Sequence, residues 1–504
     1  MFSANLLALF AVTPAVALAQ ATFTPMGDLP GAAFGSGASA VNEDGTVVVG
    51  VGDSPFMAES EAARWTAATG WVGLGDLPGG AFHSAATDVS ADGNVICGNG
   101  TTEAWSPFGP QEAFLWTAGG GMVGLGGLAS PVNSRAFAIS DDGTTIVGVT
   151  TTAAGNEAFR WTQATGMVSL GDLPGGAVNS RAESVSADGS VVVGYATTSS
   201  GREAFRWTAA TGMTSLGFAP GDTSSGANHV SPDGRVVVGQ TDGPLLYQAL
   251  RWSAGSGAVG LGPTVGGSLV GNFATACDAY GSVVVGSAWW NELQHGLLWT
   301  PELGVTNLLA TLVSSGAPQA AGWWLYPADI TTDGRTVVGW GVNPSGQSEA
   351  WIATLPPLGP SSFCTAGTTS SGCVASIASS GLPSASEPSG FVITVSSVEG
   401  RRSGLIFYGL SNPGFSPLPW GASTSYLCVK PPTQRTLARD SGGTSGQCDG
   451  ALELDWNAFV ANSPSALGAP FSAGDACSAQ AWFRDPPSPK STHLSNALRF
   501  VLAP

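Results

Sequence analysis

Seven times along the chain a tight turn ending in glycine is followed by an apolar run that closes on a second glycine. The turn glycines are Gly45, Gly93, Gly143, Gly189, Gly234, Gly281 and Gly334, at intervals of 48, 50, 46, 45, 47 and 53 residues. The runs read "TVVVG", "NVICG", "TTIVG", "SVVVG", "RVVVG", "SVVVG" and "RTVVG". Each is followed by a tryptophan: Trp65, Trp116, Trp161, Trp207, Trp252, Trp299 and Trp351. A chain that repeats a unit of this size buries its apolar surface by packing copy against copy.

Each copy reads as four short strands. The first, as in Arg181 to Ser186, spaces a small residue from an apolar one: Ala182 and Val185, Ala136 and Ile139, Ala86 and Val89. Six of the seven turns read Asp-Gly, and the sixth reads Tyr280-Gly281. Asp-Gly predicts a two-residue type I′ hairpin, which needs positive φ at both central positions. The unbroken Val runs predict a second strand covered on both faces. "EAFRWT" and "GMTSLG" supply the third and fourth strands, and no helical period intervenes. Four-stranded repeats of this length predict an all-β, seven-bladed β-propeller over residues 20–359. The last copy stops at "EAWIATLPPLG" without a fourth strand, and "ATFTPMGDLPG" at Ala21 to Gly31 matches the missing one. The N-terminal strand is therefore expected to close the ring beside Trp351, leaving no open sheet edge.

The combined pattern, from "LGDLPGG" through "VSADGSVVVG" and "EAFRWT" to "GMTSLG", resembles the HAF family of probable extracellular repeats over about residues 22–359. The resemblance implies an exported bacterial repeat protein and implies no reaction. Repeats six and seven depart most, through Tyr280 and through "GVTNLLATL" in place of the Leu-Gly ending.

Export is also read from the start of the chain. Residues 1–19 form a signal-peptide pattern, with an apolar stretch from Leu6 to Leu18 and a small-x-small site at Ala17-Leu18-Ala19. The expected location is secreted or associated with the cell envelope. No later stretch is apolar enough for a membrane-spanning helix, and the strands look too short for a membrane barrel. Only 10 % of residues are charged, with 43 % hydrophobic, which argues against disorder. Residues 1–360 hold 27 acidic and 9 basic residues, so they carry the whole net charge of −18, while 361–504 hold 8 of each. Such an acidic part disfavours nucleic acid and anionic membrane as partners.

Residues 360–504 have a different grammar. "GFVITVSS", "SGLIFYGLS", "AQAWFRDP" and "NALRFVLAP" are strand-like runs between Pro, Gly and Ser turns, as in a β-sandwich or jelly roll. Five of the seven cysteines lie here, and in an exported chain they can pair. Proximity pairs Cys364 with Cys373 and Cys428 with Cys448, leaving Cys477 over. Cys97 and Cys277 replace apolar residues of the repeat and read as buried free thiols. Through "FCTAGTTSSGC" and "AWFRDP" this part is similar to C-terminal domains of secreted planctomycete and myxobacterial proteins, a likeness that implies no activity.

No catalytic set stands out. His83, His229, His295 and His493 lack zinc spacing. There is no G-x-S-x-G elbow, no phosphate loop and no full calcium loop. No metal and no cofactor is expected. Arg64, Arg160, Arg206 and Arg251 recur before the repeat Trp, which marks them as structural rather than as a carboxylate clamp. The tryptophans outside the repeat are more telling. Trp71 takes the Met place of a fourth strand. Trp105, Trp289, Trp290, Trp323, Trp324 and Trp340 lie at or near the second-to-third-strand and between-blade connections, which open on one propeller face. Trp289, Trp290, Trp323, Trp324, Tyr326 and Trp340 form the candidate ligand site, at the boundary of the sixth and seventh blades. Flat aromatic faces suit sugars or a protein partner, and equally a channel plug or a joint to the C-terminal domain. The expected function is binding or adhesion to extracellular glycan or protein. The alternatives are a glycan hydrolase or lyase, with Glu292 or Asp329 as acid or base and His295 nearby, and a structural envelope protein.

Overall fold

The computed structural model describes residues 20–502, except 32–33, 54–59, 80–81, 103–108, 244–246, 263–268, 280, 291–292, 301–302, 357–359, 382, 385, 411–416, 421–424, 472–474 and 489. The signal-peptide pattern at 1–19, Trp105, Tyr280 and Glu292 therefore lie outside the described residues.

Each repeat folds as one antiparallel four-stranded blade. In blade 4, Gly175–Val185, Val191–Thr198, Gly201–Thr208 and Gly212–Gly217 pair in chain order. Ser36–Val41, Ser84–Val89, Ser134–Ile139, Ser224–Val230, Leu269–Cys277 and Trp324–Ile330 are the inner strands of blades 1, 2, 3, 5, 6 and 7. Blade 7 takes its fourth strand from the N-terminus: Thr22–Pro25 pairs with Ser348–Thr354, setting Pro25 opposite Trp351. Phe23 is buried there, 5.8 Å from the Trp351 ring and 5.1 Å from that of Trp323. The ring thus closes without a free edge at this blade.

The repeat letters have identifiable tasks. A serine of the inner strand ties two blades together. Ser180 Oγ donates to the Gly171 carbonyl at 2.6 Å and accepts from the Ala158 N–H of blade 3 at 2.9 Å. Ser36, Ser84, Ser134 and Ser225 repeat both bonds. Asn272 makes them in blade 6 with its amide, and blade 7 has the apolar Leu325 instead. Every inner strand also carries a bulge, which skips Ser39, Thr87, Phe137, Glu183, Asn228, Thr275 and Ala328 from the pairing. The glycine ending each Val run sits against that bulge. A Cβ on Gly194 would lie 1.9 Å from the Arg181 carbonyl, and the same contact is 1.9–2.2 Å in all seven blades.

The Asp-Gly turns differ from the expected type I′ hairpin. Among the described turn residues only the glycine has positive φ, as at Gly189 with φ 68°. Gly189 N–H bonds Ser186 O at 2.9 Å, and Ser186 N–H bonds Val191 O at 2.9 Å. This is a longer loop built on a type I turn, with glycine in the left-handed position. The aspartate serves as an acceptor: Asp188 Oδ1 takes Ser190 N–H at 2.9 Å and Ser186 Oγ at 2.8 Å. Asp92, Asp142, Asp233 and Asp333 hold their turns in the same way.

Where the sixth repeat loses its Leu-Gly ending, a short helix, Leu308–Ser314, is inserted. Asn307 caps it by accepting from Ala310 N–H at 2.9 Å. Leu308 and Leu312 pack with Phe23, Trp323, Leu325 and Trp351 in one core.

Residues 361–502 form a β-sandwich. One sheet orders Ser361–Phe363, Thr492–Val501, Ala476–Arg484 and Ser403–Leu410, and the other orders Ser376–Ser380, Val392–Val398 and Gly450–Asp455. Ile377, Ile393 and Val395 of the second face Tyr408, Ala479, Phe483 and Phe500 of the first, with Trp456 filling the end. The cysteine pairing by proximity is corrected: the bridges are Cys364–Cys428 and Cys373–Cys448. A Thr368–Val374 bridge turns the chain back around Cys373, and sheet packing brings the distant partners up instead. Cys97, Cys277 and Cys477 are free and buried.

The sandwich rests on the Asp-Gly end of blades 5 to 7. Arg499 pairs with Asp278 at 3.1 Å and donates to the Asp333 carbonyl at 3.0 Å. Arg235 reaches the Pro417 carbonyl at 3.2 Å. Asp278 stands where blades 2 to 5 have serine, and keeps that role by accepting from Ser282 N–H and Val283 N–H at 2.7 and 3.1 Å.

Candidate binding face

The bulged residues of the seven inner strands line the central channel, where a cavity of about 190 Å³ lies. One position further on, side chains stitch blades 2, 4, 5 and 7 to the blade that follows. Asp88 Oδ2 accepts from Ile139 N–H at 2.8 Å, and Asp329 Oδ2 accepts from Val41 N–H at 3.0 Å. Their other oxygens accept from Val89 and Ile330 N–H. Ser184 takes Val230 N–H, and His229 contacts Cys277 Sγ at 3.5 Å. Burial raises the Asp329 carboxyl to about 6 and lifts Asp88 well above the carboxylate range, with Asp329 adding to the latter. Burial holds His229 down to about 4, so its ring is neutral. Asp329, a candidate acid or base, has both oxygens committed to backbone N–H groups. Among the described residues no three His, Cys, Asp or Glu side chains gather as a metal site requires.

Three of the four recurrent arginines have structural partners. Arg160, Arg206 and Arg251 direct Nε to the turn-glycine carbonyls of the next blade, at Gly189, Gly234 and Gly281, 2.9–3.3 Å away. The recurrent glutamates cap the outer strands: Glu61 and Glu112 accept from Gly75 and Gly126 N–H at 3.0 and 2.8 Å.

The off-repeat aromatics divide. Trp323 is 4 % exposed and belongs to the blade 7 core, so it is not a ligand surface, a correction that follows from the inserted helix. Trp324 and Trp340 are 46 % and 44 % exposed. Tyr326 stacks on Trp340, ring centroids 4.3 Å apart, because the two are cross-strand partners. Trp289 is half-buried beside Phe273 at 5.6 Å. Trp290 ends the strand Val284–Trp290, and its side chain lies outside the described ones. The sandwich occupies the opposite end of the propeller, so Trp324 and Trp340 are not the joint to it.

A second group on the same face escaped sequence reading. Arg181 and Tyr195 are cross-strand partners in blade 4, at the repeat positions that Tyr326 and Trp340 hold in blade 7. Arg181 lies 3.8 Å over the Phe137 ring and 2.7 Å from Glu183, and Arg202 lies 3.9 Å over Tyr195. Arg181 and Tyr195, with Asn133, Arg135, Asn156 and Asn179, border a cleft of about 230 Å³ between blades 3 and 4, and Arg202 lies outside that lining, over Tyr195 and against Gly226 of blade 5. The available signal was departure from the repeat: Arg135 and Arg181 share one inner-strand position that the other five blades fill without arginine, and Arg202 has no arginine counterpart.

The molecule is a disulfide-bearing all-β protein, a seven-bladed propeller with a sandwich on one end. No protein-family model and no curated protein matches the chain. Among solved structures it is similar to an oligogalacturonate lyase from Vibrio parahaemolyticus, at 11 % identity and TM-score 0.41, covering 63 % of this chain and 89 % of that one. It is similar to the β-propeller domain of the Trilobed protease from Pyrococcus furiosus, at 9 % identity and TM-score 0.41, covering 66 % and 95 %. It is also similar to TolB from Acinetobacter baumannii, at 11 % identity and TM-score 0.38, covering 52 % of this chain and 63 % of that protein's length. The strand order, not these likenesses, defines the propeller here.

Proposed function

We propose that the chain is an exported binding protein that holds extracellular glycan on the propeller face opposite the sandwich. The observation that carries this reading is the solvent-facing Trp324 with the stacked Tyr326–Trp340 pair, at positions the repeat does not require. Aromatic planes of this kind pack against the apolar faces of sugar rings. Two disulfides fit an oxidising compartment such as the periplasm or the cell exterior. No helix among the described residues is long and apolar enough to cross a membrane. The signal-peptide pattern and the HAF-like repeats support export. The commitment of Asp329 and of three recurrent arginines to backbone groups favours binding over hydrolysis.

The test is a binding screen of residues 20–504 against immobilised glycans, with Trp324→Ala and Trp340→Ala beside the parent. Retained glycan, weakened at least tenfold by each substitution in a folded protein, supports the reading. Absence of any glycan binding refutes it, as does binding indifferent to both substitutions. Depolymerisation of the bound glycan turns the assignment to the hydrolase or lyase alternative.

A further inference from the structure

The propeller is acidic, with 27 acidic and 9 basic residues in positions 1–360 and no lysine among them. Of the nine arginines, Arg64, Arg160, Arg206 and Arg251 stand at one recurrent place in the third strand. Arg235 and Arg335 follow Asp-Gly turns, at the end where the sandwich sits. The remaining three, Arg135, Arg181 and Arg202, all fall on the adjacent blades 3 and 4, at the face opposite the sandwich. An acidic domain that places its unassigned cations together is opposing its own field locally.

We propose that this cleft is the subsite for the carboxylate of an acidic sugar, a uronate unit within the glycan held by the face. The inference rests on the glycan-binding reading and names the class of glycan. Three features support it. The Arg181 guanidinium lies over Phe137, which fixes it while leaving N–H edges for a planar anion, and Arg202 over Tyr195 braces that ring of the lining. Glu183 beside Arg181 offsets one of the two charges that line the cleft, Arg135 and Arg181, so the cleft keeps a positive excess. The neighbouring Glu157 and Glu203 are turned outward and held by Thr152 and Thr198 hydroxyls. Room is provided too: a side chain on Gly226 of blade 5 would meet Arg202 Nη2 at 2.2 Å, so glycine there lets the guanidinium lie across.

The hydroxyl partners come from amides. Asn133 and Asn179 each spend one N–H on Thr151 and Thr197, at 3.1 Å, and an amide nitrogen carries two. The cleft volume of about 230 Å³ lies below the ~300–1,000 Å³ of drug-sized sites, which suits a single sugar unit. In the ring, blades 4 and 7 lie on opposite sides of the channel mouth. Their equivalent residue pairs, Arg181–Tyr195 and Tyr326–Trp340, therefore offer a charged subsite and a stacking subsite to one extended chain.

The experiment measures binding of a uronic acid tetrasaccharide, and of the same tetrasaccharide after reduction of its carboxyls to alcohols, to the full mature chain by calorimetry. Arg135→Ala and Arg181→Ala are compared with the parent. The expected result is binding of the uronide that weakens with added salt, at least tenfold weaker binding of the reduced sugar, and at least tenfold loss on either substitution. The substitutions leave affinity for the reduced sugar unchanged. Arg135 is exposed, so its variant tests the subsite even where loss of Arg181 beside buried Glu183 disturbs folding. Equal affinity for the two sugars, with no effect of the substitutions, overturns the inference and leaves glycan binding standing. Failure of both sugars, together with a blank glycan screen, removes the glycan reading itself. Tighter binding of a polyglutamate peptide than of the uronide overturns the sugar class.

Discussion

The joint between the propeller and the sandwich can be taken apart in a way that separates charge from turn chemistry. Arg499 and Asp278 have 9 % and 0 % of their side-chain surfaces exposed and lie 3.1 Å apart. Removing one member of such a buried pair typically costs about 3–5 kcal/mol, because the other is left charged and unmatched. In Arg499→Ala the Asp278 carboxylate keeps its local donors Ser282 N–H, Ser282 Oγ and Val283 N–H, so the lower end, about 3 kcal/mol, is expected. Asp278→Ser instead restores the residue that the turns of blades 2 to 5 use and preserves the loop. In that background Arg499→Ala removes chiefly the bond to the Asp333 carbonyl, for about 1.5 kcal/mol. The two substitutions should therefore couple by about 1.5 kcal/mol. Urea unfolding of the parent, both single variants and the double variant, following the transition of the sandwich, measures this. Costs that add to within about 0.5 kcal/mol refute the pairing. An Arg499→Ala protein with every transition at parental values refutes the joint altogether.

Ser180→Ala should destabilise the propeller by about 1–3 kcal/mol in calorimetry, since it strands the Ala158 N–H and the Gly171 carbonyl between blades. An unchanged melting temperature would count against the serine tie. Reduction should weaken the sandwich selectively: closing 64- and 75-residue spans gives about 4 kcal/mol per bridge on chain entropy. Peptide mapping that finds Cys364 joined to Cys373 would contradict this pairing. Burial, then Glu43 and Asp142, raises Asp141 from the ordinary 3.8 to about 6. A carboxyl raised in this way is better tolerated protonated, so its contribution to stability falls as pH climbs from about 4 to about 6. Asp141→Asn should leave stability near pH 4 unchanged and add about 1–2 kcal/mol above pH 6, after discount for its partial exposure. A pH profile parallel to the parent's would show that Asp141 is not the group involved.

Much of the architecture was legible because it is local and repeated. The Val runs, turn glycines and repeat tryptophans carry the strand order seven times over, and the N-terminal match to a fourth strand foretold the pairing of Thr22–Pro25 with Ser348–Thr354. The aromatic positions were legible as departures from the repeat, but their exposure was not. Trp323 and Trp324 are neighbours in sequence, yet one is 4 % and the other 46 % exposed. The inserted helix decides between them, since Leu308 and Leu312 cover the side on which Trp323 lies.

The sequence by itself determined the repeat unit, the number of blades and the closing strand, because hydrogen-bond pairing between adjacent segments follows from strand period and turn residues. Tertiary structure alone decided the rest. The cysteine partners are set by which strands of the sandwich lie together, not by nearness along the chain. Asp278 meets Arg499 across 221 residues, and sequence showed only an irregular sixth turn. Arg135 and Arg181 meet at one cleft because the ring places equivalent positions of successive blades side by side on one face. Contacts made between blades and domains depend on where folded sheets come to rest, and no local pattern encodes that position.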